Sequence, residues 1–357
     1  MGITHGDING IGYEVILKTF ADPTMLELCT PIVYGSPKVA AYHRKALDLQ
    51  TNFGIINTAA EASPGKLNIV NCIDDEVKVE FSKPTAEAGQ ASLQALEKAL
   101  NEYRDGLFDV LVTAPINKHA IQSDDFHFPG HTEYIEERVG EGGKALMILM
   151  KDDLRVALVT GHIPVSEIAQ TLTSQLIKDK LAIFHHALKN DFGIGSPRIA
   201  VLSLNPHAGD AGLLGHEESD IIVPAMKEMV AKGIQCFGPY PADGFMGSGR
   251  FTHFDGILAM YHDQGLAPFK ALAMDDGVNY TAGLPIVRTS PAHGTAYDIA
   301  GKGIAEENSF RQAVYVAIDI FRNRMREKAI RSNPLRKQYY EKRDDSDKLK
   351  LDTVEDF

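Results

Sequence analysis

The chain contains few cysteines, and this scarcity narrows the structural classes that fit. Cys29, Cys72 and Cys236 are the three cysteines among 357 residues, and none of them forms a CxxC pair. An odd number without paired spacing excludes a disulfide framework as the basis of the fold and a zinc site built from thiolates. A reducing compartment is the simplest setting for such a chain, so we predict a cytoplasmic protein.

Long apolar segments are missing as well. The sequence has no uninterrupted run of about 18 apolar residues, the length that a membrane-spanning helix needs. The first residues, MGITHGDINGIG, do not combine a basic region with an apolar one as a secretory leader does. We therefore predict a soluble protein without a membrane partner.

Positive charge is in deficit. Lys and Arg total 36 against 48 Asp and Glu, which gives a formal net charge of -12. Such a balance argues against nucleic acid or an anionic membrane as the main partner. An anionic ligand would therefore have to bind in a local basic pocket.

Two common enzyme motifs are also absent. The segment HGDINGIG contains glycines but no GxGxxG after a full strand, so an ordinary Rossmann nucleotide site is not indicated. The nucleophile elbow GxSxG does not occur, which disfavours an ordinary serine hydrolase. No internal repeat or low-complexity block replaces them.

The apolar pattern that is present predicts an α/β protein. Short apolar runs alternate with amphipathic stretches along the chain, as in βαβ units around a mostly parallel sheet. With 44% hydrophobic and 24% charged residues, the composition is that of an ordinary globular protein. The length allows two domains or one large α/β unit.

Helices can be placed by the spacing of apolar residues. Leu93, Leu96 and Leu100 lie three and four residues apart within a helix predicted over 85–103, which Gly106 ends. The same reasoning predicts helices over 174–189 and 217–232. The charge-rich segment 331–357 is predicted to be a solvated helix end followed by a tail without chemistry.

Three segments share one design and suggest a metal site. RVALVTGHIPV, RIAVLSLNPHAGD and GILAMYHDQG each run from a polar start through an apolar strand to a histidine, namely His162, His207 and His262. Side chains just past the carboxyl ends of parallel strands line ligand crevices, so three imidazoles can meet there. Three histidines with an open fourth position are typical of catalytic zinc and similar divalent ions. The alternative is that each histidine caps a strand or binds a backbone carbonyl.

Neighbouring residues extend the three-histidine hypothesis. Asp263 and Gln264 follow His262 directly and are candidates to orient the imidazole or contact a substrate. Asn117 and Lys118 lie just past the predicted strand LFDVLVTAP, in a position to reach the same crevice.

A basic set near the third histidine suggests an anion site. Arg288 ends the apolar run LPIVR and can clamp a phosphate or carboxylate, although a surface ion pair is the plain alternative. Lys270, Asn279 and His293 lie close to it in sequence. His131 and Thr132 follow a Pro-Gly turn and open a helix whose first amide groups can meet an anion; alternatively, Thr132 is a helix cap.

With these motifs in view, the chain resembles the 4-hydroxythreonine-4-phosphate dehydrogenase family of pyridoxal phosphate biosynthesis. The likeness is carried in order by GDINGIG, TAPINK, FPGHTEY, LNPHAG, GPYPADG, MYHDQG and GLPIVRTSPAHGTAYDIAGKG, from Gly6 to Gly303. A series of such motifs is far more specific than any one of them.

The resemblance implies a two-domain fold like that of isocitrate and isopropylmalate dehydrogenases, with the active site in the interdomain cleft. It implies a homodimer in which the second subunit completes the site. We expect a cofactor-side domain over 1–125 and 268–357, and a domain for metal, substrate and dimerisation over 126–267.

The resemblance also assigns site residues. The family's metal ligands fall on His162, His207 and His262, and its substrate contacts on His131, Thr132, Lys270, Asn279 and Arg288. HGTAYDIAGKGIA is similar to the nucleotide loop of those dehydrogenases, which places the cofactor near His293, Gly294, Thr295, Asp298 and Gly301. Asp298 would bind a ribose or cap a helix. Asp243 and Asp263 are candidates for orienting the substrate amino group or moving protons. Lys118 is another candidate for proton transfer and would alternatively hold a phosphate or carboxylate.

The expected reaction uses NAD or NADP and one divalent ion: zinc, magnesium, manganese or cobalt. It oxidises 4-phosphohydroxy-L-threonine to 2-amino-3-oxo-4-phosphooxybutanoate, which decarboxylates to 3-amino-2-oxopropyl phosphate. Alternatives are a 4-phospho-D-threonate or D-erythronate dehydrogenase of the same family, a metal-dependent phosphate-ester hydrolase, and a phosphate-binding acyltransferase.

This chain departs from the family at one motif. The family's GDPAGIGPE stands here as GDINGIGYE, so Ile8, Asn9 and Tyr13 replace two prolines and an alanine. We expect these residues beside the cleft, where they would affect loop shape or substrate choice.

Overall fold

The strands of the protein form one large sheet. A computed structural model describes residues 1–74, 76–123 and 126–332. Within them lie twelve strands: β1 Gly2–Thr4, β2 Ile32–Gly35, β3 Phe53–Ile56, β4 Leu67–Asn71, β5 Val110–Thr113, β6 Leu146–Lys151, β7 Leu154–Leu158, β8 Arg198–Leu202, β9 Gln235–Tyr240, β10 Gly256–Ala259, β11 Val278–Ala282 and β12 Val287–Pro291.

The sheet is mostly parallel, which confirms the predicted α/β class. Its strand order is β3-β4-β2-β1-β5-β12-β11-β6-β7-β10-β8-β9. The three junctions in the middle, β12–β11, β11–β6 and β6–β7, are antiparallel, and the other neighbours run parallel. Strands β6 to β10 are contiguous at one side of the sheet. The division into two domains at 126–267 remains a prediction.

Helices connect these strands. The described residues contain eleven: α1 Gly12–Thr19, α2 Pro23–Leu28, α3 Pro37–Ala46, α4 Ala86–Arg104, α5 His131–Val139, α6 Ile168–Thr171, α7 Ser174–Asn190, α8 Val223–Ala231, α9 Ala242–Gly247, α10 His262–Ala273 and α11 Asn308–Ser332. None of them is long and apolar enough to cross a membrane.

The three helices predicted from apolar spacing are found, with one change. Helix α4 follows Thr85, whose side chain accepts a hydrogen bond from the amide of Ala88. Helix α7 is one residue longer than the helix predicted over 174–189. The third is interrupted: a π-helical turn at Glu218–Ile222 precedes α8. Pro224 explains the break, because it has no amide hydrogen to continue the α-helical ladder. The predicted tail beyond residue 332 lies outside the described part of the chain.

Apolar side chains cover both faces of the sheet. Along β5, Val110 and Val112 belong to one buried cluster and Leu111 to another. Along β10, Leu258 likewise packs away from Ile257 and Ala259. A strand buried on both faces is continuously apolar, as β5 and β10 are through these residues, so the polar side chains near β10 come from the segment that follows it.

Candidate functional site

A cleft of about 310 Å³ gathers most of the predicted site residues. Its walls come from the segment after β5, the start of α5, the loops after β7 and β10, and strands β11 and β12. The predicted residues that line it are Lys118, His131, Thr132, His162, His262, Lys270, Asn279, Arg288, His293 and Gly294.

Arg288 is the buried cation of this cleft. Its side chain lies on β12 and the residue is 3% exposed. The guanidinium donates hydrogen bonds to the hydroxyls of Thr113 (2.6 Å) and Thr281 (3.2 Å). It forms no ion pair with a carboxylate in the described residues, so the alternative of a surface ion pair is wrong. Burial lowers the pKa of Arg288 to about 10, against the opposing charge of Glu133, and this leaves the guanidinium protonated at neutral pH.

His131 is a neutral hydrogen-bond donor beside this cation. The Nη2 of Arg288 lies 3.2 Å from its Nδ1. Because a guanidinium can only donate, Nδ1 must accept, which places the ring proton on Nε2. Burial, then the charges of Arg288 and Lys118, holds the pKa of His131 well below its usual value. Helix α5 begins at His131 without a side-chain cap, so Thr132 is not its cap and its hydroxyl is available to a ligand.

His162 and His262 form a pair in the cleft. Their ring centroids are 5.4 Å apart. Nδ1 of His262 lies 2.7 Å from Oδ1 of Asp263, which orients the ring. Nε2 of His162 lies 3.2 Å from Nζ of Lys118, and the ammonium donates to it. Two imidazoles at this separation fit two ligands of one divalent ion.

His207 is not grouped with that pair within this chain. It follows β8, and the order β7-β10-β8 places all three histidines after adjacent parallel strands. The residue is exposed, however, and begins a turn through Ala211 in which the described backbone has left-handed dihedral angles throughout. The described part of the chain contains no group of three potential metal ligands. The three-histidine centre therefore remains a prediction.

Gln264 ties two strand ends together beneath the histidines. Its Oε1 accepts from the amide of Met260 (2.7 Å), and its Nε2 donates to the carbonyl of Ser203 (2.6 Å). The carboxyl ends of β10 and β8 are thereby held side by side. These two hydrogen bonds are one reason why the apolar strand β10 is followed by the polar residues His262, Asp263 and Gln264.

Glu218 holds the loop that carries His207, a role the sequence did not reveal. The carboxylate, 5% exposed, accepts from the amides of Leu204 (2.9 Å) and Asn205 (2.7 Å) and from the Asn205 side chain (3.0 Å). Left-handed backbone at residues other than glycine is unfavourable. The hydrogen bonds of Glu218 help to stabilise the loop at its start.

We expect Glu218→Gln to lower the free energy of unfolding by about 1–3 kcal/mol, because the amide group cannot accept all of these hydrogen bonds. Urea denaturation measures the change. Asp220→Asn, an exposed substitution on the same π-helical turn, serves as the control and should stay within about 0.5 kcal/mol of the parent. Equal stability of both variants would contradict this role for Glu218.

The predicted nucleotide loop begins at the cleft and then leaves it. His293 Nδ1 donates to the carbonyl of Gly294 (3.0 Å), and its buried Nε2 has no partner in the described residues. Thr295 contacts the segment after β1 through its carbonyl, which accepts from the amide of Ile11 (3.1 Å). Asp298 is exposed and Gly301 packs against Phe81, both outside the cleft lining.

Comparison with known proteins decides the family. Residues 27–317 match the family model described as "Pyridoxal phosphate biosynthetic protein PdxA". A 4-hydroxythreonine-4-phosphate dehydrogenase of Bacteroides thetaiotaomicron is 79% identical over 100% of this chain and 98% of its own length. The chain belongs to the PdxA family.

Two further relatives are less similar to the chain. The crystal structure of a 4-hydroxythreonine-4-phosphate dehydrogenase from Klebsiella pneumoniae superimposes with a TM-score of 0.78 and 34% identity, covering 90% of this chain and 97% of that one. An Oceanobacillus iheyensis relative, provisionally named a D-threonate 4-phosphate dehydrogenase, is 37% identical over 90% of this chain and 97% of its own. The chain is an enzyme, a dehydrogenase of the PdxA family, and dehydrogenation implies a nicotinamide cofactor.

The residues in which this PdxA family member departs from the usual motif are buried outside the cleft lining. Ile8, Asn9 and Tyr13 are each at most 1% exposed. The Asn9 side chain accepts from the amide of Glu80 (2.7 Å) and donates to the carbonyl of Lys83 (2.9 Å). These bonds fix the shape of the segment after β1 and supply no direct contact to a ligand in the cleft.

Two predicted proton carriers do not line the cleft. Asp243 is exposed on α9, and Asp263 is bonded to His262 as described. Their roles in proton transfer remain predictions. Conversely, Glu133 and Ser290 line the cleft although the sequence did not single them out. Glu133 follows Thr132 directly within the FPGHTEY motif, which was the available signal.

Proposed function

We propose that the chain oxidises 4-phosphohydroxy-L-threonine to 2-amino-3-oxo-4-phosphooxybutanoate with NAD or NADP. This β-keto acid loses carbon dioxide to give 3-amino-2-oxopropyl phosphate for pyridoxal 5′-phosphate biosynthesis. The observation that carries the proposal is the buried guanidinium of Arg288, which forms no ion pair among the described residues, in the same cleft as the His162–His262 pair. The 79% identical relative supports it by its name.

The anionic groups of the substrate bind at the Arg288 end. Arg288 supplies charge, His131 donates from Nε2, and Thr132 adds a hydroxyl. Lys270 and Asn279 line the same cleft and complete the contacts. Arg288 and Lys270 are cations, and Nε2 of His131 can only donate a hydrogen bond. These three groups suit a phosphate and a carboxylate.

The reacting hydroxyl lies at the histidine end. His162, His207 and His262 would hold a divalent ion, zinc, magnesium, manganese or cobalt. When bound, this ion would polarise the oxygen of the substrate hydroxyl and so lower the pKa of that hydroxyl. Lys118 is 3.2 Å from His162 and, once its ammonium has given up a proton, is placed to take or relay the hydroxyl proton. Asp263 orients His262, and Asp243 is a further candidate for orienting the substrate amino group or moving protons.

The nicotinamide cofactor would enter from the His293 side. The loop from His293 to Gly301 begins at the cleft, and the unpartnered Nε2 of His293 can accept a hydrogen bond from the cofactor. A bound nicotinamide accepts hydride from the substrate carbon. Asp298, exposed further along the loop, is a candidate for binding a ribose hydroxyl.

A coupled assay tests the proposal. The purified protein is mixed with NAD or NADP and with the 4-phosphates of hydroxy-L-threonine, D-threonate and D-erythronate in turn, and NADH or NADPH formation is followed. The provisionally named Oceanobacillus relative makes D-threonate 4-phosphate the second candidate. Phosphate release without reduced cofactor would indicate a hydrolase instead. The acyltransferase would form no reduced cofactor with any of these compounds, and reduced cofactor that still forms in the presence of a chelator would indicate a metal-free dehydrogenation.

Replacing His207 should separate metal binding from folding. Because His207 is exposed, we expect His207→Ala to keep the parent's unfolding transition while losing most bound metal and turnover. Metal content after dialysis and NADH formation are both measured, with the exposed His253→Ala as the control. Parent-like metal content together with parent-like turnover would remove His207 from the site.

A further inference from the structure

The loop predicted to bind the nucleotide contains a residue in an unfavourable backbone conformation. Ala296 has a φ of 46°, in the left-handed region, which costs free energy in a residue other than glycine. It lies two residues after Gly294, which lines the cleft. A strained residue persists only where the surrounding structure holds it, and such residues cluster at ligand sites. Contacts from elsewhere in the fold therefore fix loop 293–301.

Two hydrogen bonds hold the residues on either side of Ala296. The carbonyl of Thr295 accepts from the amide of Ile11 (3.1 Å). The hydroxyl of Tyr297 donates to Oδ2 of Asp7 (2.6 Å). Both partners lie in the segment after β1, so one segment holds the loop before and after the strained residue.

The carboxylate of Asp7 is committed to this contact. The residue is 1% exposed, and its Oδ1 accepts from the amide of Asn9 (2.8 Å). The amide of Asp7 donates to the carbonyl of Pro115 (2.9 Å), a residue of the cleft wall. Burial, then the hydrogen bond to Asp7, raises the pKa of Tyr297, so the phenol keeps its proton and remains the donor. Asp7 therefore connects the loop to the wall of the cleft.

The backbone of the segment after β1 packs directly against the loop. A Cβ on Gly10 would lie 2.8 Å from the carbonyl oxygen of Thr295, closer than real contacts allow. No larger residue than glycine fits between the two backbones at this point. The position of the loop is thus set by the segment that carries Asp7.

We infer that Asp7 and Tyr297 are positioning residues for the nicotinamide cofactor, because their hydrogen bond holds Ala296 left-handed and so keeps the loop in the conformation that binds the cofactor. The inference rests on the proposed function. Within the described lining of the cleft neither Asp7 nor Tyr297 appears, so both act through the loop. Without their bond the strain of Ala296 is unopposed, and the affinity for the cofactor falls with the fraction of loops that keep the binding conformation.

The test is a titration of NADH or NADPH followed by fluorescence, which needs no turnover. We expect Tyr297→Phe, which removes the hydroxyl and keeps the ring, to raise the dissociation constant of the reduced cofactor by about tenfold. The KM for 4-phosphohydroxy-L-threonine at saturating cofactor should stay within about threefold of the parent. Tyr315→Phe is the matched control and should change neither value, since this half-buried tyrosine of α11 lies outside the described cleft lining.

Glycine at position 296 separates backbone strain from other effects of the substitution. Because glycine adopts the left-handed conformation readily, adding Ala296→Gly to Tyr297→Phe should return the dissociation constant to within about threefold of the parent. A hydroxyl that contacted the cofactor directly would not be replaced by this change, and neither would a ring whose movement damaged the fold.

Three results would overturn the inference. They are parent-like cofactor binding in Tyr297→Phe, weak binding that Ala296→Gly does not restore, and a substrate KM that rises as much as the dissociation constant of the cofactor. A parent protein that binds neither NADH nor NADPH, and reduces neither oxidised cofactor with any of the three phosphorylated compounds, would instead overturn the proposed function.

Discussion

Replacing Arg288 by methionine is expected to reduce kcat/KM by about 10²- to 10³-fold, the effect of removing one partner of a buried charged contact. The side chain is buried, charged and bonded to neutral groups alone among the described residues: Thr113, Thr281 and His131. Under the proposed function, a ligand anion would add to the electrostatic interaction that Arg288 has with Glu133. Methionine fills a similar volume without a charge.

The same substitution should leave the free energy of unfolding nearly unchanged. Removing an uncompensated buried charge is favourable, and losing the hydrogen bonds of Thr113 and Thr281 offsets that gain. Thermal unfolding measures the balance, with Arg326→Met, an exposed change on α11, as the control. A large loss of stability with retained kcat/KM would show that Arg288 supports the fold and not the substrate.

The α/β class and the main helices could be predicted because they follow from the spacing of apolar residues along the chain. Apolar spacing predicted the bounds of α4 and α7 to within one residue. Both the periodic apolar residues and the threonine that caps each helix are local features of the sequence. The antiparallel junctions around β6 and β11 could not be predicted in this way. Strand direction in the middle of a sheet depends on contacts between residues far apart in sequence.

Site residues were predictable where a motif fixed them to a strand end. His162 and His262 follow this rule and line the cleft. Arg288, predicted from the end of the apolar run LPIVR, also lines the cleft but lies within β12. Glu133 was missed because a glutamate in the first turn of a helix has an ordinary explanation in helix electrostatics. The left-handed turn after His207 was also missed, because Ala208 and Ala211 disfavour that backbone and the loop is held at its start by the distant Glu218.

The stability of the protein is expected to fall steeply below pH 6.5. His5 and His43 are fully buried, and burial lowers their pKa from 6.5 to about 3 and about 4 respectively. Both ring nitrogens of His5 lack a hydrogen-bond partner in the described residues, and His5 stacks on Tyr13 at 5.1 Å. Nε2 of His43 is bonded to the carbonyl of Ile8 (2.8 Å). Neither ring can be protonated without disturbing this cluster.

The direction of this change in stability with pH follows from proton uptake by the unfolded chain. Because the folded pKa values are depressed, the unfolded chain binds more protons as the pH falls, so the stability present above pH 6.5 is lost towards pH 4. At pH 5 each histidine should remove about 2 kcal/mol, or about 4 kcal/mol together. Denaturant unfolding at pH 8 and pH 5 measures the difference. In His43→Gln, whose amide can still donate to Ile8, the loss should shrink by about 2 kcal/mol. If His43→Gln lost as much unfolding free energy between pH 8 and pH 5 as the parent, groups other than His43, such as carboxylates, would cause the loss of stability in acid.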